Sequence, residues 1–335
     1  MRDAVETLAN RLRWQAAGCR VLGSPFCASL LDSATADLES GGPVWSVLQE
    51  FVVEPRESAI ALRFLAPVHR RVLAGELPEL DRHYPSTGGD GDAEAAWPHF
   101  RQFLAGNAAW MREEVKRPCQ TNEVGRSAAL FGGFLEAAHR ARKPLRILEI
   151  GASAGLNLRW DRYFYASAEG SWGDDSSPVQ FTHAFEGPPP MNRTVEVVER
   201  KGCDLNPIDA TTGEGALTLR SFVWADQLAR LAQLDGAIEV ARQTPVEIEA
   251  IGAGEFLERE LAAPRPDVAT VVYHSVFIQY ATDAEKARIA AAIAGGHVFY
   301  LRMEPAYPLF EIRLDGELLG TSHAHGTHVH WNVHS

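Results

Sequence analysis

The 335-residue chain is poor in cysteine, has no surplus of positive charge, and contains no long apolar run. Its four cysteines, Cys19, Cys27, Cys119 and Cys203, lie far apart without a C-x-x-C pair, which argues against a disulfide framework or a zinc knuckle and fits a reducing cytosol. The formal charge of -12 leaves no basic excess for nonspecific binding to nucleic acid or an anionic membrane. No apolar run reaches membrane-spanning length, and the polar, helix-like N-terminus MRDAVETLANRLRWQ has no apolar core of a signal peptide. A soluble, cytoplasmic protein acting on a small molecule is expected, without nucleic-acid or membrane partners; none of these features sets the oligomeric state.

What the chain does have is a change of pattern near residue 142. From Asp3 to about Arg142 apolar residues recur at helical spacing: Val5, Leu8 and Leu12 share a face, as do Val44, Val47, Leu48 and Phe51. Residues 1–142 are therefore expected to form a helical domain, with Leu77 to Asp92, LPELDRHYPSTGGDGD, as an exposed loop. Residues 143–335 alternate strand-like and helix-like runs, the order of a parallel sheet covered by helices. Strands are expected at Leu145 to Ile150, Val195 to Cys203, Val246 to Ile251, Val268 to Ile278 and His297 to Arg302, with a helix near Asp226 to Arg242. Phe310 to Leu314 and Thr327 to Val333 would close the edge as an antiparallel pair.

The first strand, PLRILEIGASAGLN, runs into a glycine-rich turn, where Gly151 and Gly155 permit close backbone approach to a ligand. The spacing Glu149-x-Gly151-x-Ser153-x-Gly155 departs from the dinucleotide fingerprint and is similar to the first motif of class I methyltransferases. That similarity implies S-adenosylmethionine as cofactor, with the turn on its methionine part and an acid after the second strand on its ribose. Asp204 is that acid, although it follows the turn by about fifty residues where about twenty are usual; an insertion between Tyr163 and Pro190 would account for the excess. Its alternative role is a turn or cap acid before Pro207.

His274 sits late in the strongest apolar strand, and the carboxyl ends of such strands border the ligand crevice. An imidazole there suits a catalytic base, or else a hydrogen-bonded core residue. Gln120, Thr121, Asn122, Glu123 and Arg126 precede a helix that either Thr121 or Asn122 would cap, while Glu123 and Arg126 would reach across cofactor or substrate. Arg159, Asp161 and Tyr163 follow the glycine turn as further site residues or surface ion-pair partners. The tail carries His323, His325, His328, His330 and His334; on one strand His328 and His330 would face the same side, and Glu304 would add a carboxylate to a metal site. No third ligand motif accompanies them.

Taken together, QTNEVGRSAAL, LEIGASAGLNLRWDRYFY, GCDLNPIDA, VWADQLARL, VVYHSVFIQY, LRMEP and SHAHG resemble a bacterial family catalogued as domain of unknown function 2332, over most of the chain. The resemblance implies a helical N-terminal region before a Rossmann-like, methyltransferase-type α/β core, and it carries no established substrate. On this reading Glu149, Gly151, Ser153, Gly155, Asn157 and Asp204 bind the cofactor, while His274, Glu123 and Arg126 serve catalysis. The rival readings are a noncatalytic nucleoside- or metabolite-binding protein on the same scaffold, and a metal-dependent enzyme using the histidine tail.

Overall fold

Two compact units make up the chain in the computed structural model, which describes residues 2–55 and 58–332. The first unit takes residues 1–121 and returns for residues 213–232; the second takes 122–212 and 233–335. The helix Arg126–Ala141, N-terminal to residue 142, thus belongs to the second unit.

The first unit is helical: α1 (Arg2–Val21), α2 (Pro25–Glu39), α3 (Pro43–Leu48), α4 (Ile60–Leu73), α5 (Pro78–Asp81) and α6 (Ala93–Lys116). Leu8, Leu12, Leu31, Phe64 and Phe100 meet in its core. The segment from Leu77 to Asp92 is less of a loop than its composition suggests. It contains α5 and a 3-10 turn, and it buries Leu80 and Tyr84 at 2 % exposure each. The Tyr84 ring packs edge-on against Phe26 at 5.0 Å, so apolar anchors inside a polar stretch hold it down.

In the second unit α7 (Arg126–Ala141) leads into β1 (Leu145–Ile150), every residue of which is buried. Then follow β2 (Phe164–Ser167), β3 (Gly170–Trp172), β4 (Gln180–Phe181), β5 (Phe185–Gly187) and β6 (Val197–Asp204). The chain then passes through α8 (Gly213–Ser221), which belongs to the first unit, and α9 (Leu228–Gln243), which begins in the first unit and ends in the second, before β7 (Glu247–Ala250), α10 (Ala253–Glu260), β8 (Ala269–Ser275) and α11 (Asp283–Gly295). The chain finishes with β9 (Phe299–Ala306), β10 (Leu309–Leu314), β11 (Glu317–Ser322) and β12 (Val329–Trp331).

Among the described residues nine strands form one sheet in the order β5-β12-β11-β10-β9-β8-β1-β6-β7. The run β9-β8-β1-β6-β7 is parallel throughout, and β10, β11 and β12 extend it antiparallel. This is an α/β fold with a helical N-terminal region and a large, mostly parallel sheet. The expected pair of Phe310–Leu314 with residues 327–333 does not form, because β11 lies between them and pairs with both. Val333 and His334 lie outside the described residues.

One face of the sheet packs Leu148, Ile150 and Val272 against Phe256 and Leu257 of α10 and Ile289 of α11. The other carries α7 and an aromatic layer: Phe134 stacks on Trp160 at 4.5 Å and meets Tyr273 edge-on at 4.9 Å. The segment between Tyr163 and Pro190 carries β2, β3 and β4 as a separate three-stranded sheet on the path from the glycine turn to Asp204. No helix among the described residues is long and apolar enough to cross a membrane.

Candidate functional site

Strand order in the parallel core reverses at β1: the chain runs outward through β6 and β7, then crosses back to β8 and β9. In an open α/β sheet the crevice beyond the carboxyl ends of the strands at such a reversal is the usual ligand position. The turn after β1 lies there. Gly151 (φ 69°) and Gly155 (φ 63°) take the left-handed conformation that glycine adopts without strain. Both also lie under neighbours: a Cβ on Gly151 would sit 2.2 Å from the Phe277 ring, and one on Gly155 2.6 Å from Ile248. Ser153 adopts a left-handed φ of 53° without being glycine.

Asp204 holds that conformation in place. At the end of β6 its Oδ2 accepts the Ser153 N–H at 2.9 Å and its Oδ1 the Asn206 N–H at 2.8 Å. The acid therefore does what its turn reading expects and also reaches the glycine loop, across 51 residues of sequence.

The segment before α7 is fastened to the same turn. Asn122 Oδ1 accepts the Leu156 N–H at 2.8 Å, Asn157 Nδ2 donates to the Glu123 carbonyl at 3.2 Å, and Ser127 Oγ donates to Asn157 Oδ1 at 2.6 Å. Asn122 thus caps the short 3-10 helix Leu156–Arg162 and not α7. Asn122→Ala would strand the amide of buried Leu156 and is expected to cost about 1–3 kcal/mol, read from the urea midpoint; an unchanged midpoint would show that the contact contributes nothing.

From the opposite side the turn between β11 and β12 closes over Glu123 and Arg126. His325 Nδ1 lies 2.9 Å from Glu123 Oε2, and Arg126 Nε donates to the Ala324 carbonyl at 3.3 Å. Arg126 Nη1 also donates to the Ser275 carbonyl at the end of β8, 3.3 Å away.

Glu149 is 2 % exposed and accepts the Tyr273 hydroxyl on Oε2 at 3.0 Å. Burial, with the Asp204 charge adding to it, pushes its pKa up to about 8 against the pull of Tyr273, Arg159 and Arg126, so it holds a proton at neutral pH. Tyr273 and His274 are adjacent on β8 and point to opposite faces. His274 is therefore separated from Glu149 and meets other partners. Its Nδ1 is 2.7 Å from Glu304 Oε1 and its Nε2 is 2.6 Å from the Tyr300 hydroxyl. The Nδ1 contact is close in distance but off the line of a hydrogen bond, and Glu304 Oε2 is buried without a partner. Burial pulls the Glu304 carboxyl upward, yet His274 and the Phe277 and Ile278 amides outweigh it and hold the pKa below the ordinary value.

Of the residues singled out in the sequence, Glu123, Arg126, Gly151, Ser153, Gly155, Asn157 and Asp204 converge on the glycine turn, with Glu149 beneath it. His274 is fully buried, so a ligand does not reach its ring directly. Arg159 and Tyr163 are buried rather than on the surface, and Asp161 pairs with Arg200 at 2.8 Å. Tyr300 carried no sequence signal, since only the β8–β9 pairing brings it to a histidine 26 residues away.

The described tail histidines divide: His325 faces Glu123, while the His323 and His328 rings lie 4.4 Å apart and act with His330 on Glu186. His328 lies before β12 with a left-handed φ of 52°, which breaks the alternation expected with His330, and it pairs with Glu186 at 2.5 Å. Among the described residues no three or more His, Cys, Asp or Glu side chains gather where they could hold a metal ion. Glu304, expected as a metal carboxylate, instead faces His274.

A family model described as "Uncharacterized protein conserved in bacteria (DUF2332)" matches residues 9–331. No curated protein and no solved structure matches the chain.

Proposed function

We propose, from the premise that this chain belongs to the bacterial DUF2332 family, that it is an S-adenosylmethionine-dependent methyltransferase with a small-molecule acceptor. The observation that carries the reading is the order β7-β6-β1-β8-β9, a Rossmann-like arrangement with a glycine turn after its central strand and an acid closing the next one.

The residues present fit such a group. Each Asp204 oxygen accepts one backbone N–H and keeps further acceptor capacity, as a ribose diol requires. The turn of residues 151–155 would hold the amino-acid end. When bound, the cofactor supplies an electrophilic methyl group. The chain's part is alignment and proton handling. Glu304 orients the His274 ring, and His274 Nε2 presents a hydrogen-bonding nitrogen to Tyr300, whose half-buried hydroxyl is the outlet through which an acceptor proton would pass. His274 thus acts through Tyr300. Burial raises the Tyr300 pKa to about 12, which favours the hydroxyl over the phenolate at rest.

Calorimetry with S-adenosylmethionine, S-adenosylhomocysteine and NAD tests this. Asp204→Ala is expected to weaken binding of the first two by roughly tenfold or more, while His274→Gln leaves it intact. Failure of both adenosyl compounds to bind ends the reading, and unchanged affinity in Asp204→Ala removes the ribose role. The sealed position of His274 favours the noncatalytic alternative, a metabolite-binding protein, which predicts binding without turnover in an acceptor screen.

A further inference from the structure

Arg159 is a buried cation that the reading above does not use. It lies four residues beyond Gly155 and is 4 % exposed. Its Nε donates to the Thr244 carbonyl at 2.7 Å and its Nη1 to the Gly155 carbonyl at 2.8 Å, while Nη2 makes no hydrogen bond to the described residues. No carboxylate pairs with it among those residues: the neighbouring Asp161 is engaged by Arg200 at 2.8 Å and Arg162 at 3.4 Å. Two acids act on it without pairing: buried Glu149, held protonated at neutral pH, and exposed Asp209, whose own pKa the Arg159 charge helps to lower. Buried charges are ordinarily paired, because the loss of hydration is otherwise uncompensated.

Arg159 also lines a cavity of about 540 Å³, within the size range of small-molecule sites. Ala154, Ile208, Ala241, Val246 and Ile248 give it apolar walls. Exposed Arg242 adds a second cation to the lining. Exposed Asp209 also lines it, but its Oδ1 is engaged by the Thr211 N–H at 2.9 Å and the Thr211 hydroxyl at 2.6 Å. Ala154 of the glycine turn is part of the lining while Asp204 and His274 are not, so the cavity borders the cofactor turn of the reading above without including its ribose acid.

We infer that this cavity is a binding site for a small organic acid, its carboxylate on the Arg159 guanidinium and its apolar body against Ile208, Val246 and Ile248. The fixed guanidinium fork suits a carboxylate, and the walls suit a hydrocarbon ring or short chain.

The test is calorimetry on the full chain with 2-naphthoate and its neutral counterpart 2-naphthalenemethanol, which share shape and differ in charge. Naphthoate is expected to bind at least roughly tenfold more tightly than the alcohol. In Arg159→Gln the two affinities should become equal, and in Val246→Trp, where the indole would stand against the apolar wall that the hydrocarbon body uses, both should be weakened at least roughly tenfold. Equal affinities in the unaltered chain, no naphthoate binding up to about 5 mM, or a preference for the acid surviving in Arg159→Gln each overturn the assignment. Val246 is a half-buried wall residue, so Val246→Trp decides the location even if Arg159→Gln does not fold: unchanged naphthoate binding in it refutes the site. All titrations are run without S-adenosylmethionine, and its own affinity is measured separately, so failure of this assignment and failure of the cofactor reading are told apart.

Discussion

Gly326→Ala is expected to destabilise the protein by on the order of 3–5 kcal/mol and to loosen the glycine-turn site. The new methyl would lie 1.9 Å from the Gly125 carbonyl oxygen and 2.3 Å from its carbon, both backbone atoms, at a φ of 70° that alanine adopts only with strain. Side-chain repacking offers no relief. The same contact seen from the other side is Gly125, where a Cβ would meet the His325 carbonyl oxygen at 2.1 Å. Since both substitutions separate the same two backbones, the double variant should cost well under the sum of the singles. Urea denaturation of the three variants measures this; a loss below about 1 kcal/mol for either single change would mean that the turn over Glu123 and Arg126 yields freely.

The second large effect is on pH dependence. Folding raises the Glu149 pKa from 4.5 to about 8, so the native state favours the protonated acid. Its contribution to stability is fully present below pH 4.5, is lost as pH rises toward 8, and beyond that the native state carries a buried carboxylate. At about 1.4 kcal/mol per unit the loss is on the order of 5 kcal/mol. Glu149→Gln keeps the shape and an oxygen for the Tyr273 hydroxyl but cannot ionise. Its unfolding free energy minus that of the unaltered chain should therefore grow by several kcal/mol between pH 5 and 8.5. Parallel profiles across that range would show that Glu149 is ionised in the native state and that its environment is far more polar than its burial implies.

Legibility in the sequence followed how local each cause is. Strand β1 matched residue for residue because Leu145, Ile147, Leu148 and Ile150 crowd together before the glycine turn, and the charged Arg146 and Glu149 between them are buried with them. Strand β11 left no trace: its inward positions include Gly320 and Ser322, so ELLGTS shows no apolar alternation. Asp204 was recognisable from its place after a strand, but its hold on the Ser153 amide depends on a backbone conformation that composition does not encode. His274 was found for its position, and its burial between Glu304 and Tyr300 was not, because the pairing of β8 with β9 decides it. The tail histidines read as one cluster in the sequence, and of those described His325 turns to Glu123 while His323 and His328 stay together beside Glu186.

The clasp between Glu123 and His325 joins residues 202 positions apart. Closing so long a loop is a slow step that depends on the intervening sheet. A chain that ended at β10 would keep the contacts of this segment with Leu156, Asn157 and Ser275 and lack those with Ala324 and His325. The last turn of the chain thus adds a second fastening to a segment that residues far upstream already anchor.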